Sequence, residues 1–108
     1  MLTPRQRLSH KLRDGRYRAR LAGCQADTIP VADALFFLDI HECFYCSCPL
    51  PEGELWTLEH KTPLALGGAH MLSNLAKSCP SCNERKHLLT DEEFAELQLA
   101  LLMGGMAA

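Results

Sequence analysis

The sequence predicts an α+β fold, with helices gathered about a short two-stranded sheet and pinned by a structural zinc site. Three observations carry this prediction. Cysteines recur as two Cys-x-x-Cys pairs, Cys43/Cys46 and Cys79/Cys82. Between them, Glu54 to His60 alternates bulky and polar residues, with Trp56 and Leu58 on one face, as a half-buried strand does. Helix-start signals precede apolar stripes at both ends of the chain. Thiolates two residues apart in a tight turn match tetrahedral zinc. Two such turns complete a four-sulfur site with no open position, which holds structure and does no catalysis.

Thr3-Pro4 starts the first predicted helix, over 4–21, where Leu8, Leu12 and Leu21 form a sparse apolar stripe and Gly15 weakens the middle. Gly23 to Pro30 reads as a linker. Val31, Leu35, Phe36, Leu38 and Ile40 then predict a short core helix leading to the first cysteine pair. After the strand ending at His60, Pro63 and Gly67-Gly68 mark a loop that reverses direction, and Leu75 to Ser78 supplies a partner strand. A helix is expected from Asn83 to about His87. Thr90-Asp91-Glu92-Glu93 is a capping box that opens a last helix, with Phe94, Leu97 and Leu101 facing the core and Gly104-Gly105 ending it.

A chain of 108 residues at 47% hydrophobic fits one domain with a modest core. Structural zinc would supplement that core with on the order of 10 to 16 kcal/mol of apparent binding energy, so removing it should unfold much of the chain. Six cysteines could instead form three disulfides in a secreted protein, but Met1-Leu2-Thr3-Pro4-Arg5 lacks the apolar core of a signal peptide. No apolar run approaches the roughly 18 residues of a membrane span. A soluble, cytoplasmic protein with no membrane partner is therefore expected, and a reducing cytoplasm keeps thiols available to zinc.

The net charge of −2 conceals an asymmetry: seven of the eleven basic side chains fall in the first twenty residues, with Asp14 the single acid among them. Such an arm suits a phosphate backbone, and Arg13, Arg16, Arg18 and Arg20 are its candidate DNA contacts. A solvated helix face is the plainer reading of the same charges.

The run Thr57-Leu58-Glu59-His60-Lys61-Thr62-Pro63-Leu64, then Gly67-Gly68, Asn74-Leu75 and Cys79-Pro80-Ser81-Cys82-Asn83-Glu84-Arg85-Lys86, resembles the HNH endonucleases of the zinc-knuckle, four-cysteine kind. The resemblance covers roughly residues 43 to 90. It implies a ββα-metal, treble-clef-like finger over residues 31–108, preceded by the basic helix and linker of residues 1–30. Small stand-alone members are frequent in phages and bacteria, so a phage-infected or bacterial host cell and a phage packaging partner are expectations of the resemblance.

By the same resemblance His60 is the general base, a neutral imidazole able to take a proton from water attacking phosphorus. Glu59 and Asn83 are ligands of a catalytic divalent cation (Mg²⁺, Mn²⁺ or Ni²⁺), and Asn74 orients the loop and the His60 ring. Adjacent strand residues point to opposite faces, so Glu59 could hold the cation while His60 faces the attacking water. Lys61, Arg85 and Lys86 join the arm in neutralising phosphate, and the products carry 3′-hydroxyl and 5′-phosphate ends.

Glu59 stands where relatives commonly have aspartate, which moves the carboxylate outward by about one bond length (~1.5 Å). His87, where many relatives have glycine, lies four residues after Asn83 on the same helical face and is a candidate third ligand. The structural zinc takes Cys43, Cys46, Cys79 and Cys82, leaving Cys24 and Cys48 as ordinary thiols. His70, after the glycine turn, could touch DNA; His10 and His41 read as surface residues, and Trp56 and Phe44 as packing. The alternative function is a non-catalytic zinc module that binds nucleic acid or protein.

Overall fold

Thr3 caps the first helix through both halves of a capping box: its Oγ1 accepts from the Gln6 backbone N–H at 3.1 Å, and its own N–H donates to Gln6 Oε1 at 2.9 Å. The helix that follows, α1 (Pro4–Leu21), has the predicted bounds. The computed structural model describes residues 1–50 and 56–107 and orders them as α1, α2 (Val31–Phe37), β1 (Thr57–His60), β2 (Leu75–Ser78), α3 (Pro80–Lys86) and α4 (Asp91–Ala107). β1 and β2 form a two-stranded antiparallel sheet with Glu59 opposite Ala76 and His60 opposite Leu75. The fold is α+β as expected. β2 has the predicted bounds, whereas the expected start of β1 at Glu54 and Leu55 lies outside the described residues.

Two apolar clusters hold these elements. In the first, Leu8 and Leu12 of α1 pack with Ala34, Leu38, Leu58 and Leu75, so the basic helix shares its core with the sheet. Each leucine buried there contributes roughly 1.5 to 3 kcal/mol. The second gathers Cys43, Leu50, Cys79, Cys82 and Phe94 around the knuckles, and Trp56 packs against both. Lys11 and Lys77 lie over the Trp56 ring, at 5.1 and 4.7 Å from its centroid, so this side chain packs under cations, and a base stacked on it would have to displace them.

Three expectations are corrected. The short second helix is amphipathic: Ala34 and Leu38 are buried, while Leu35, Phe36, Phe37 and Ile40 are exposed, because two turns present only one stripe to α1. In α4 the capping box forms as predicted, with Thr90 and Glu93 bonded reciprocally, and Phe94 is buried. Leu97 and Leu101 are nevertheless exposed, and the helix continues through Gly104-Gly105 to Ala107. Finally, α3 begins at Pro80, not Asn83. Cys79 is its N-cap, its sulfur accepting from the Cys82 N–H at 3.4 Å, and proline suits the first turn, so Asn83 lies in mid-helix.

The segment from Gly23 to Pro30 contains no helix, yet it is bonded in place: Gln25 C=O accepts from the His70 N–H at 2.8 Å, and the Asp27 N–H donates to His70 C=O at 2.9 Å. The loop between the strands closes tightly. A Cβ on Gly68 would stand 1.9 Å from the Thr62 carbonyl oxygen, so this position admits glycine alone.

Candidate active site and metal centre

Strand alternation sends Glu59 and His60 in different directions from the end of β1. Glu59 is buried against α3 and the first knuckle. Its Oε1 accepts from Lys86 Nζ at 3.0 Å, and its Oε2 accepts a short hydrogen bond from the Tyr45 hydroxyl. Lys86 is fully buried, donates a second bond to His60 C=O at 3.2 Å and lies over the Tyr45 ring. The expected phosphate contact by Lys86 is therefore corrected: its chain runs inward from α3 because a buried carboxylate needs a cation. Burial, then the Glu59 carboxylate, push the Tyr45 hydroxyl well above its ordinary range, which keeps it a donor.

His60 faces α1. Its Nε2 lies 3.0 Å from Nδ1 of His70, and the rings are 5.3 Å apart between centroids. His70 is fully buried, so it is not a DNA contact; the Leu12 backbone faces its ring, and among the described residues its Nε2 has no well-formed partner. Gly15 makes this arrangement possible, since a Cβ there would lie 2.7 Å from His70 Cε1. Burial, followed by the neighbouring His70, Arg18 and Lys86, brings His60 down to about 4, and burial lowers His70 as well. Both rings are neutral near pH 7.

Asn74 does half of what was expected. Its Oδ1 accepts from the Thr62 N–H at 3.0 Å and its Nδ2 donates to Thr62 C=O and Ala69 C=O at 3.1 and 2.8 Å, so it staples the loop. The ring of His60, however, is held by His70. Sequence reasoning missed the roles of His70, Tyr45 and Lys86. Only the position of His70 beside the glycine turn signalled it, because each acts through contacts that span elements.

Glu59, His60, Asn83, His87 and Arg18 line one cavity of about 360 Å³. Arg18 reaches it from α1 and pairs with Asp14 at 3.0 Å on the exposed helix surface. Asn83 and His87 share a helical face as expected, and His87 closes α3 with φ 46°, a left-handed backbone that glycine adopts freely and histidine at some cost. A carboxylate, an amide and an imidazole bordering one cavity are donors suited to a divalent cation, although Lys86 already balances Glu59. Of the remaining basic candidates, Arg13 and Arg20 are exposed, Arg16 is half-buried beside Arg13 in a separate hollow, and Lys61 lies over Phe44 at 4.8 Å. Arg85 is exposed, with one guanidinium nitrogen on Cys82 Sγ.

At the knuckles the sulfurs of Cys43, Cys46, Cys48 and Cys79 lie within 4.8 Å of one another. The Cys46–Cys79 separation is 3.8 Å, which is the edge of a tetrahedron with metal–sulfur bonds of about 2.3 Å. Backbone N–H groups of Tyr45 and Cys79 point at Cys43 Sγ at 3.4 and 3.3 Å, as donors to a thiolate do. This donor set fits a structural metal such as zinc. Cys48, expected to be an ordinary thiol, stands within the group, and Cys82 stands beside it. Burial raises the Cys46 thiol, but the Cys48 backbone and neighbouring thiols outweigh it and bring Cys46 down to about 7.

No helix among the described residues is long and apolar enough to cross a membrane. None of the curated proteins matches the chain. The family model described as HNH endonuclease matches residues 43–88, the stretch that runs from the first knuckle through the sheet to the end of α3. With its cysteine cluster, its two-stranded sheet and α3 in that order, the segment of residues 43–88 matches an HNH endonuclease domain.

Proposed function

We propose that the protein is a metal-dependent endonuclease that hydrolyses DNA phosphodiester bonds, leaving 3′-hydroxyl and 5′-phosphate ends. The observation that carries this reading is the convergence of Glu59, His60, Asn83 and His87 on one cavity, with Arg18 at its edge. Glu59, Asn83 and His87 would hold a divalent cation, whose chemistry is to stabilise charge on the leaving oxygen. His60 is neutral and its Nε2 is engaged by His70, so its Nδ1 is the atom left to take a proton from water. His70 fixes the ring, and Asn74 fixes the loop that carries it. Arg18, with Arg13, Arg16 and Arg20 further along α1, would place the phosphate backbone without reading sequence.

One observation favours the second reading, a zinc module that binds without cutting: Lys86 and Tyr45 occupy both carboxylate oxygens of Glu59. Conversion of supercoiled plasmid by zinc-loaded protein, with Mg²⁺, Mn²⁺, Ni²⁺ or EDTA and with His60→Ala as control, separates the two. Metal-dependent nicking that vanishes in the control supports the nuclease. Retained DNA binding with no cleavage in any metal supports the binding module.

A further inference from the structure

Four sulfurs saturate a tetrahedral zinc, yet this chain brings five together. Cys82 is fully buried in the same cluster as Cys43 and Cys79, and its backbone N–H donates to Cys79 Sγ at 3.4 Å. Its sulfur nonetheless falls outside the set whose sulfurs all lie within 4.8 Å of one another, a set that takes Cys48 instead. Cys48 in turn lies within 4.8 Å of the sulfurs of Cys43, Cys46 and Cys79. Cys43, Cys46 and Cys79 thus form a triangle shared by two flanking sulfurs.

The backbone explains both. Ser47 takes φ 62°, and Cys48 C=O accepts from the Cys43 N–H at 2.9 Å, which folds the chain back and returns the third sulfur of Cys43-x-x-Cys46-x-Cys48 to the triangle. Cys82 arrives on the first turn of α3, where its N–H is bonded to Cys79 Sγ. A guanidinium nitrogen of Arg85 lies 3.3 Å from Cys82 Sγ and supplies the positive charge that a thiolate off the metal would need.

We propose that the metal centre is a five-sulfur site in which Cys43, Cys46 and Cys79 are fixed ligands and Cys48 and Cys82 alternate as the fourth. The exchange makes one metal–thiolate bond as it breaks another, with no change of oxidation state. When Cys48 is bound, its proton has gone to solvent and Arg85 holds the Cys82 thiolate; when Cys82 is bound, the half-buried Cys48 takes a proton back from solvent. The centre therefore tolerates loss of either alternate, a redundancy that a fixed four-cysteine site lacks. The proposal rests on the cluster being a metal site and is independent of whether the domain cuts DNA.

Cobalt(II) reconstitution of the full chain tests it, because the thiolate-to-cobalt charge-transfer absorption scales with the number of sulfurs bound. The wild type, Cys48→Ser and Cys82→Ser should each bind one cobalt with the same absorption. Cys46→Ser and the double variant Cys48→Ser/Cys82→Ser should each lose about a quarter of it, as four sulfurs become three. Loss in Cys82→Ser with no change in Cys48→Ser, or the reverse, overturns the alternation in favour of a fixed set. Zinc competition against a chelator gives a second readout, useful if Cys82→Ser does not fold. Removing one of two bound arrangements should weaken zinc in Cys48→Ser by about twofold or more, and an affinity equal to that of the wild type excludes Cys48 from the site. If the wild type takes up no cobalt or zinc, the metal reading itself fails.

Discussion

Gly15→Ala separates the sequence from the structure by the sign of its effect. Alanine in the interior of a helix is favoured over glycine by about 0.8 to 1 kcal/mol, so α1 considered alone should become more stable. In the fold, the new Cβ would stand 2.7 Å from His70 Cε1 and 2.9 Å from Nδ1, well inside normal contact. His70 has little freedom to retreat: it is fully buried and its backbone is bonded on both sides to the 25–27 segment. Overpacking of this kind costs about 1 to 3 kcal/mol. The net expectation is a loss of about 1 kcal/mol, or a fall of roughly 4 to 8 °C in melting temperature for a domain this small. Thermal unfolding at fixed zinc measures it, and a plasmid assay should show slower nicking, since His60 leans on the displaced ring. In a His70→Ala background the same substitution should stabilise the protein, because the obstacle is gone. A melting temperature that rises in the single variant would refute the packing of α1 onto the histidine pair.

Lys86→Met removes the cation from a carboxylate that is only 8% exposed and should cost about 3 to 5 kcal/mol, with most of it recovered by adding Glu59→Gln. Urea unfolding of the two single variants and the double gives the cycle, and a loss below about 1 kcal/mol for Lys86→Met would show that Glu59 is not committed to this ion pair. The lowered His60 predicts acid sensitivity. Between its ordinary value of 6.5 and its folded value of about 4, the unfolded chain binds more protons, so stability falls as pH drops through this window and is fully present above it. His60 contributes up to about 3 kcal/mol to that slope. Because thiolates also protonate in acid, the comparison is with His60→Gln, which keeps the cysteines and should show a shallower slope from pH 7 to 5; equal slopes would mean that the imidazole titrates freely.

Local chemistry made much of the fold legible in the chain itself. Thr3-Pro4 and the Thr90–Glu93 box start their helices because a cap needs only a few neighbouring residues. Alternation around Leu58 pointed to the sheet, and the rare residues from Cys43 to Lys86 marked the stretch that carries the candidate site, for the same reason. What sequence reading could not supply were the contacts between distant segments. Lys86 looks like a surface cation until the burial of Glu59 draws it inward. His70 becomes the partner of His60 only when the 25–27 segment and α1 close over it. Leu97 and Leu101 carry a core-like pattern, but α4 leaves the body of the protein after Phe94 and nothing among the described residues covers them. Cys48 reads as an ordinary thiol in the sequence, and the left-handed Ser47 brings it into the cysteine cluster. Sequence by itself determined which residues could do chemistry, since side-chain type and spacing are local. Only the tertiary structure decided which of them meet, because burial and the balancing of buried charge depend on segments far apart in the chain.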